Sequence, residues 1–211
     1  MSDRVLRTAN RIDGSVGAGQ NLPLPMELVL VQPEIPHNSG CVARLGAALG
    51  LRLHLVEPLG FSLEDRYLKR AGLDYWPAVE LHVHRDWDAL AAALAPGSVR
   101  PLAERVRLFT ARGGRSLFAS RFERDDVLVF GSESKGLPAE LLARHAERRV
   151  YLPIRPCVRS LNLANTVAVA AYTALVAAGE PLPANDGAYA PDARADEDVW
   201  PADVARRSGS A

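Results

Sequence analysis

Long apolar runs, cysteine and net charge are all in short supply in this 211-residue sequence. No apolar stretch is long enough to cross a bilayer, and the N-terminus has no charged head followed by an apolar segment. These absences argue against a membrane span and against a secretory signal. The two cysteines, Cys41 and Cys157, stand in unrelated contexts, so we expect reduced thiols in a cytoplasmic protein with no membrane partner.

The formal net charge of +0 argues at first against a nucleic-acid partner. The charges are unevenly distributed, however, because residues 181–211 contain six acidic and three basic side chains. The remainder of the chain is therefore mildly basic, which is compatible with a local basic face.

The composition is that of an ordinary globular protein and predicts one folded domain between two flexible ends. Residues 1–25 are polar and contain glycine, and we expect a disordered N-terminal lead. Residues 26–180 form the expected domain. Residues 181–211 are rich in Pro, Ala and Asp without periodicity, and we expect a disordered C-terminal tail.

Strand-like and helix-like segments alternate between these ends. The predicted strands are 27–31, 52–56, 79–83, 106–110, 127–130 and 149–152. The predicted helices are 39–49, 62–71, 86–94, 138–145 and 162–178. This alternation predicts an α/β fold with a mainly parallel sheet flanked by helices, in which ligands bind at the carboxyl ends of the strands.

The first candidate loop, residues 32–40, follows the predicted strand 27–31. Pro33 and Pro36 stiffen it, and Asn38 or Ser39 is expected to cap the next helix. Arg44 lies one to two turns into that helix, from where its guanidinium can return towards the loop. A capped helix with a surface arginine is the plainer interpretation of this loop taken alone.

The second candidate loop, residues 131–138, contains two glycines after the predicted strand 127–130. Gly131 and Gly136 allow the backbone to approach a ligand closely, and unpaired N–H groups in such a turn bind polar atoms. Glu133 adds a carboxylate. Most glycine-rich loops are only turns, and Lys135 followed by glycine excludes a Walker P-loop.

The third candidate loop, residues 152–165, places two amides and a hydroxyl at the mouth of a long apolar helix. Ser160, Asn162 and Asn165 belong to residue types that compete with helical hydrogen bonds and favour caps and turns. A well-capped core helix would explain this loop alone. Three such loops, all after strands of one α/β domain, favour a shared ligand site.

His82 and His84 share one face of a predicted strand, as two metal ligands could. They have no third ligand nearby, so we expect no metal.

These three loops, in this order, resemble the motifs of the SPOUT superfamily of RNA methyltransferases. The Asn38-to-Arg44 spacing is similar to its first motif, segment 131–136 to its second and segment 160–165 to its third. Segments 33–40 and 70–76 are similar to the subfamily that methylates the ribose 2′-hydroxyl of cytidine or uridine at the wobble position of tRNA. The resemblance spans roughly residues 26–180.

The resemblance implies a single SPOUT domain with a deep C-terminal trefoil knot, which general topology rules alone would not predict. It also implies a homodimer whose active site is shared between subunits. The domain departs from the subfamily pattern in three places. Ser132 stands where proline is common, Ala164 stands where serine is frequent, and the loop 110–116 is more basic and glycine-rich than the usual threonine-rich version.

The implied reaction is methyl transfer from S-adenosyl-L-methionine to a ribose 2′-hydroxyl in the tRNA anticodon loop. Arg44 would approach that hydroxyl; arginine is normally protonated, so we assign it to positioning and to stabilisation of developing alkoxide charge. Asn38 and Glu133 would order the site. Ser160 and Asn162 would lie where cofactor and substrate meet.

The resemblance places the cofactor against Ala111, Gly131, Leu152 and Ser160, with Leu152 and Ile154 packing on the adenine. Arginines in two loops are candidates for phosphate contacts, or else form ordinary solvated surface. They are Arg112, Arg115, Arg155 and Arg159.

Two other functions are compatible with the sequence. One is 2′-O-methylation of a different tRNA or ribosomal RNA site, and the other is non-catalytic RNA binding on the same fold. The set Arg44, Glu133, Ser160 and Asn162 argues against the second. A nucleotide-binding oxidoreductase is disfavoured because no dinucleotide fingerprint follows any predicted strand.

Overall fold

A seven-stranded sheet with helices on both faces makes up the fold in the computed structural model, which describes residues 26–63, 78–96 and 98–184. The strands are β1 (Glu27–Val31), β2 (Arg52–Val56), β3 (Leu81–His84), β4 (Val106–Phe109), β5 (Arg115–Ser116), β6 (Val127–Phe130) and β7 (Arg149–Tyr151). The helices are α1 (Pro36–Leu49), α2 (Trp87–Leu94), α3 (Leu102–Arg105), α4 (Ala139–Arg144) and α5 (Leu163–Ala177), with 3-10 turns at Leu117–Ala119 and Ala146–Arg148.

The strand order across the sheet is β3-β2-β1-β6-β4-β7-β5, and every pairing is parallel. Leu28 of β1 is in register with Leu53 of β2 on one side and with Leu128 of β6 on the other. The predicted parallel α/β fold is therefore confirmed. Because all strands run the same way, the loops that follow them emerge at one edge of the sheet.

Alternation along the strands divides the core into two layers, one on each face of the sheet. Residues such as Leu28, Leu53 and Phe130 pack under α1 and α5. Val29, Val56 and their neighbours pack on the other face, against residues of α2 and α4. Since both faces are covered, the central strands are apolar at almost every position, as parallel sheets require.

Buried polar side chains interrupt the second layer near its margin. His54 lies between Glu27, whose carboxylate oxygen is 2.8 Å from the His54 Nε2, and His84, whose Nε2 is 2.9 Å from the His54 Nδ1. The ring of His82 stacks on that of His54 at 4.9 Å between centroids. Burial, reinforced by repulsion from His54, lowers the pKa of His82 below its usual value.

The helix α1 begins earlier than expected and is capped differently. It begins at Pro36, a favourable first position for proline, and its N-cap is Ile35, which has no side chain able to accept a hydrogen bond. The expectation that Asn38 or Ser39 caps this helix is wrong, since both lie buried within it. The predicted end at Gly50 is confirmed by its left-handed φ of 67°.

Other differences concern short elements and segment ends. The predicted strand 79–83 is displaced to β3, and the two-residue β5 and four-residue α3 were not predicted. Asn162 caps α5 through a hydrogen bond from the Asn165 N–H at 3.3 Å. The predicted helix 62–71 lies almost wholly outside the described residues, as do segment 70–76, the lead 1–25 and most of the tail. Within the described ranges, no helix is long and apolar enough to traverse a bilayer.

Candidate active site at the carboxyl edge of the sheet

The loops after β1, β4, β6 and β7 meet around one cleft of about 560 Å³. Its walls come from Ile35 and Asn38 of the first loop and helix, from residues 109–111, from residues 130–137, and from residues in the segment 152–166. The three loops singled out from the sequence thus line a common cavity, together with the loop after β4.

Glu133 binds the second loop to the first. Its carboxylate accepts hydrogen bonds from the N–H groups of Glu34 at 2.8 Å and Ile35 at 3.2 Å. The same carboxylate accepts from the Asn38 side-chain amide at 2.9 Å. A carboxylate at the start of α1 also complements the positive end of the helix dipole. Glu133 therefore accepts from the N–H of Ile35, the N-cap residue of α1.

Glu34 makes the reciprocal connection. The N–H of Ser134 donates to the Glu34 carboxylate at 3.0 Å, and the Ser134 hydroxyl donates to it at 2.6 Å. Each loop therefore supplies a carboxylate to backbone N–H groups of the other. Such charge-assisted hydrogen bonds are stronger than neutral ones, so the two loops are held as one unit.

Glycine is required at two positions of the second loop. The loop closes on itself through paired backbone hydrogen bonds between Ser132 and Gly136, of 3.2 and 2.8 Å. A Cβ on Gly131 would overlap the backbone of Gly136 and Leu137. Gly136 itself has a φ of 71°, which favours glycine. The loop is thus a compact turn whose shape depends on both glycines.

A hydrogen bond between Asn162 and Asn38, here called the amide bridge, connects the third loop to the other two. The Asn162 Nδ2 donates to the Asn38 Oδ1 at 3.0 Å. Because the Asn38 amide donates to the Glu133 carboxylate, its oxygen is free to accept from Asn162. A continuous chain from Glu133 through Asn38 to Asn162 therefore spans all three loops.

Arg44 lies outside the cleft, in an adjoining groove between α1 and α5. This Arg44 groove, of about 640 Å³, is also lined by Cys41, Ala164 and Asn165. The cleft and the groove share Asn38 and Asn162. The amide bridge consequently forms part of the boundary between them, and Arg44 faces the site from the opposite side of that boundary.

All residues expected at the cofactor line the cleft. They are Ala111, Gly131, Leu152, Ile154 and Ser160. Arg112 steadies this side, since its Nη2 donates to the Val158 carbonyl at 3.3 Å and so joins the loop after β4 to the loop after β7. Sequence reasoning missed Phe109 and Phe130, which stack at 4.5 Å between ring centroids and also line the cleft. Their position as the last residues of β4 and β6, directly before ligand loops, was the available signal.

The donor set of the cleft suits a ligand with one flat apolar part and one polar part. Leu152 and Ile154 provide half-buried apolar side chains close to the two stacked phenylalanines. Polar groups come from Ser160 and from Asn162, which is itself part of the amide bridge. The volume falls in the ordinary range for cofactor sites.

Comparison with known proteins gives consistent matches. Residues 25–172 match the model of the SpoU rRNA Methylase family. A Burkholderia ambifaria protein named tRNA (cytidine(34)-2'-O)-methyltransferase is 53% identical over 153 residues, which cover 72% of this chain and 95% of that protein. The Escherichia coli protein of the same name is 40% identical over 157 residues, covering 74% of this chain and 96% of that one.

One solved structure agrees with these matches. It is described as "Structural insights into the 2-OH methylation of C/U34 on tRNA" and superimposes with a TM-score of 0.64 at 53% identity. The alignment covers 71% of this chain and 93% of that chain. The resemblance drawn from the three loops is therefore confirmed.

Proposed function

The chain belongs to the SpoU rRNA Methylase family, and we propose that it transfers a methyl group from S-adenosyl-L-methionine to the ribose 2′-hydroxyl of the wobble pyrimidine, nucleotide 34, of tRNA. The observation that carries this proposal is the hydrogen-bond chain from Glu133 through Asn38 to Asn162. It unites the three motif loops and separates a cofactor-sized cleft from the Arg44 groove.

The cleft fits S-adenosyl-L-methionine in chemistry and in size. Leu152 and Ile154 would hold the adenine, and the backbone of Ala111 and Gly131 would hold the rest of the molecule. Ser160, which also lines the cleft, would bind the polar end. When bound, the cofactor supplies an electrophilic methyl group on a positively charged sulfur, which is already a good leaving group.

The residues of the chain mainly align the reacting groups, because methyl transfer to an oxygen needs no covalent intermediate with the protein. Arg44 contacts the ribose and the adjacent phosphate from its groove, and its guanidinium stabilises negative charge that develops on the 2′-oxygen. A permanently protonated arginine is a poor base, so Arg44 acts electrostatically, and the 2′-hydroxyl proton passes to water as the carbon–oxygen bond forms and the carbon–sulfur bond breaks. Glu133 and Asn38 fix the start of α1 and thereby the position of Arg44.

An anticodon-loop nucleotide suits this arrangement because unpaired bases can be turned out into a pocket. Arg155 and Arg159 lie exposed on the third loop and can contact phosphates. The proposal includes a homodimer: Val169, Tyr172 and Val176 form an exposed apolar stripe on α5 that a second copy would cover. A tRNA substrate implies a cytoplasmic location.

The proposal also includes the trefoil knot of the superfamily. Its support is the path of the third loop, which follows β7 inside the sheet and contacts the loop after β4 through Arg112. After this contact the chain enters α5, which packs on α1. A last strand that inserts between β4 and β5, two earlier strands of the chain, is compatible with a knotted C-terminus.

The experiment that tests the proposed function is methyl transfer from labelled S-adenosyl-L-methionine to total tRNA that lacks the modification, followed by nuclease mapping of the labelled nucleoside. We expect label in a 2′-O-methylpyrimidine at position 34. Label at another position would replace the wobble site by a different RNA target. Absence of label from a preparation that binds the cofactor would favour non-catalytic RNA binding.

A further inference from the structure

The turn that follows β5 exposes an aromatic ring that no part of the described structure covers. Phe118 is 70% exposed, the most exposed aromatic side chain among the described residues. Its neighbours on the chain are directed inward: Leu117 is 1% exposed and Phe122 is 5% exposed, and both belong to the core under α1 and α5. The outward position of Phe118 is therefore fixed by buried anchors on either side of it.

The turn is also held in shape by its own hydrogen bonds. The Ser120 hydroxyl donates to the Ser116 carbonyl at 2.8 Å, and the Ser120 N–H donates to the Leu117 carbonyl at 3.2 Å. A single exposed apolar side chain is common on proteins, so the case for a contact surface rests on the ordered turn together with the charges beside it.

The charged residues nearest to this ring along the chain have one sign. Residues 111–121 contain Arg112, Arg115 and Arg121, all exposed, and no acidic residue. We call Arg115, Phe118 and Arg121 the Phe118 platform. Proteins bind single-stranded nucleic acid with exposed aromatic rings, on which bases stack, and with nearby basic side chains that contact phosphates; here exposed arginines lie three residues before and three residues after the ring in the sequence.

The platform lies at the same edge of the sheet as the candidate active site. β5 is parallel to β7, so the turn after β5 and the third loop after β7 emerge side by side. Exposed arginines continue from one to the other: Arg159 lines the cleft, and Arg112 is bonded to Val158 of the third loop. An RNA strand bound across the mouth of the cleft can thus extend onto the platform.

A second copy of the chain is a poorer occupant for this surface. Residues 111–121 carry three arginines and no acidic side chain, so a second copy would need an acidic surface opposite them. The stripe Val169, Tyr172 and Val176 on α5 is a better surface for a second copy, because α5 contains no charged residue.

We propose that Phe118 is an RNA-stacking residue: an unpaired anticodon-loop base neighbouring the methylated nucleotide lies on its ring, while Arg115 and Arg121 contact the flanking phosphates. This inference rests on the proposed function for the identity of the RNA. It adds a binding residue for the substrate outside the three motif loops.

The test uses the full chain with anticodon stem-loop RNA and compares Phe118→Ala and Phe118→Trp with the wild type. Phe118→Ala should raise the Kd for RNA and the KM for methyl transfer about fivefold or more, the lower end of what one base stack contributes. Its affinity for S-adenosyl-L-methionine should not change. Phe118→Trp should restore RNA binding, and RNA should quench the added tryptophan fluorescence.

Two control variants remove similar groups elsewhere. Val99→Ala shortens another strongly exposed apolar side chain, and Arg144→Gln neutralises an exposed arginine that precedes β7, at the opposite edge of the sheet. Both should leave RNA binding within twofold of the wild type. Arg115→Gln should weaken binding and reduce its dependence on salt concentration, as expected for a lost phosphate contact.

Several results would overturn the inference. The first is an unchanged Kd in Phe118→Ala, and the second is an equal loss of affinity for fully paired RNA. The third is dissociation of a dimer by Phe118→Ala, which would show that a second copy covers the ring. If the wild type fails to label nucleotide 34, the proposed function fails, whereas the stacking result is still read from RNA affinity and fluorescence.

Discussion

Replacing Glu133 by alanine should loosen the start of α1 and separate the first and second loops. In the wild type the carboxylate accepts three hydrogen bonds, from the N–H groups of Glu34 and Ile35 and from the Asn38 amide. The substitution leaves all three donors without this acceptor, and α1 has no side-chain cap of its own. Water can compensate part of the loss, because the bonds are only partly buried.

The size of the effect follows from these contacts. Each hydrogen bond contributes about 1 kcal/mol net, so Glu133→Ala should lower the free energy of unfolding by about 3 kcal/mol. For a domain of this size, 1 kcal/mol corresponds to roughly 2–4 °C, which predicts a fall in Tm of about 6–12 °C. The rate of methyl transfer should also fall under conditions where the variant is fully folded, because Asn38 loses the partner that orients it towards Asn162.

Thermal and urea denaturation of the full chain would measure the loss, with Glu140→Ala as the matched control. Glu140 is an exposed glutamate in the first turn of α4, and its carboxylate makes no hydrogen bond to another loop among the described residues, so its removal should cost about 0.5 kcal/mol or less. If Glu133→Ala were as stable as Glu140→Ala, the argument that Glu133 joins the two loops would be refuted.

Two further predictions concern catalysis and pH. Arg44→Ala should reduce the rate of methyl transfer about 100-fold or more. Its affinity for S-adenosyl-L-methionine should stay within twofold of the wild type, since Arg44 lies in the groove and not in the cleft. Single-turnover rates and calorimetric titration would measure the two quantities, and near-normal turnover would remove Arg44 from the mechanism. Burial lowers the pKa of folded His82 below the unfolded value near 6.5, so the unfolded chain binds more protons as the pH falls, and the stability present above pH 6.5 is progressively lost below it. His82→Asn should therefore flatten the dependence of the unfolding free energy on pH between 7 and 5, measured by urea titration; an unchanged slope would contradict this account.

The sequence predicted correctly that the loops of Glu133 and Asn162 lie at one site, because this prediction depends only on the order and direction of the strands. Parallel strands bring their following loops to one edge, and that held for all three motif loops. The partner of Asn38 was not predictable in this way. A local cap is the common role for asparagine near a helix start, but Asn38 lies inside α1 and binds Glu133, 95 residues away along the chain, as well as Asn162 in the amide bridge.

Short elements were beyond sequence patterns for a different reason. β5 has only two residues, Arg115 and Ser116, so no alternation of apolar and polar positions can reveal it. β5 forms because it pairs with the edge of β7, and the turn that follows β5 holds Phe118 in its exposed position. Such features depend on tertiary pairing, and the local composition of the segment carries little sign of them.

Asn162 has two structural roles that different substitutions separate. Its side-chain oxygen accepts from the Asn165 N–H and caps α5, while its amide nitrogen donates to Asn38 in the amide bridge. Asn162→Ala loses both contacts and should cost about 1 kcal/mol or more in unfolding free energy. Serine is also a good N-cap but is too short to reach Asn38, so Asn162→Ser should retain most of the stability.

Catalysis should distinguish the two roles. If the amide bridge aligns the cleft with the Arg44 groove, both variants should lose methyl transfer by a similar factor of about tenfold, the cost of a small misplacement of reacting groups. Asn162→Ser would then retain most of the unfolding free energy of the wild type, while its kcat would be as low as that of Asn162→Ala. Full recovery of kcat in Asn162→Ser would instead show that Asn162 serves only as a helix cap, and the boundary between the two cavities would have no part in the reaction.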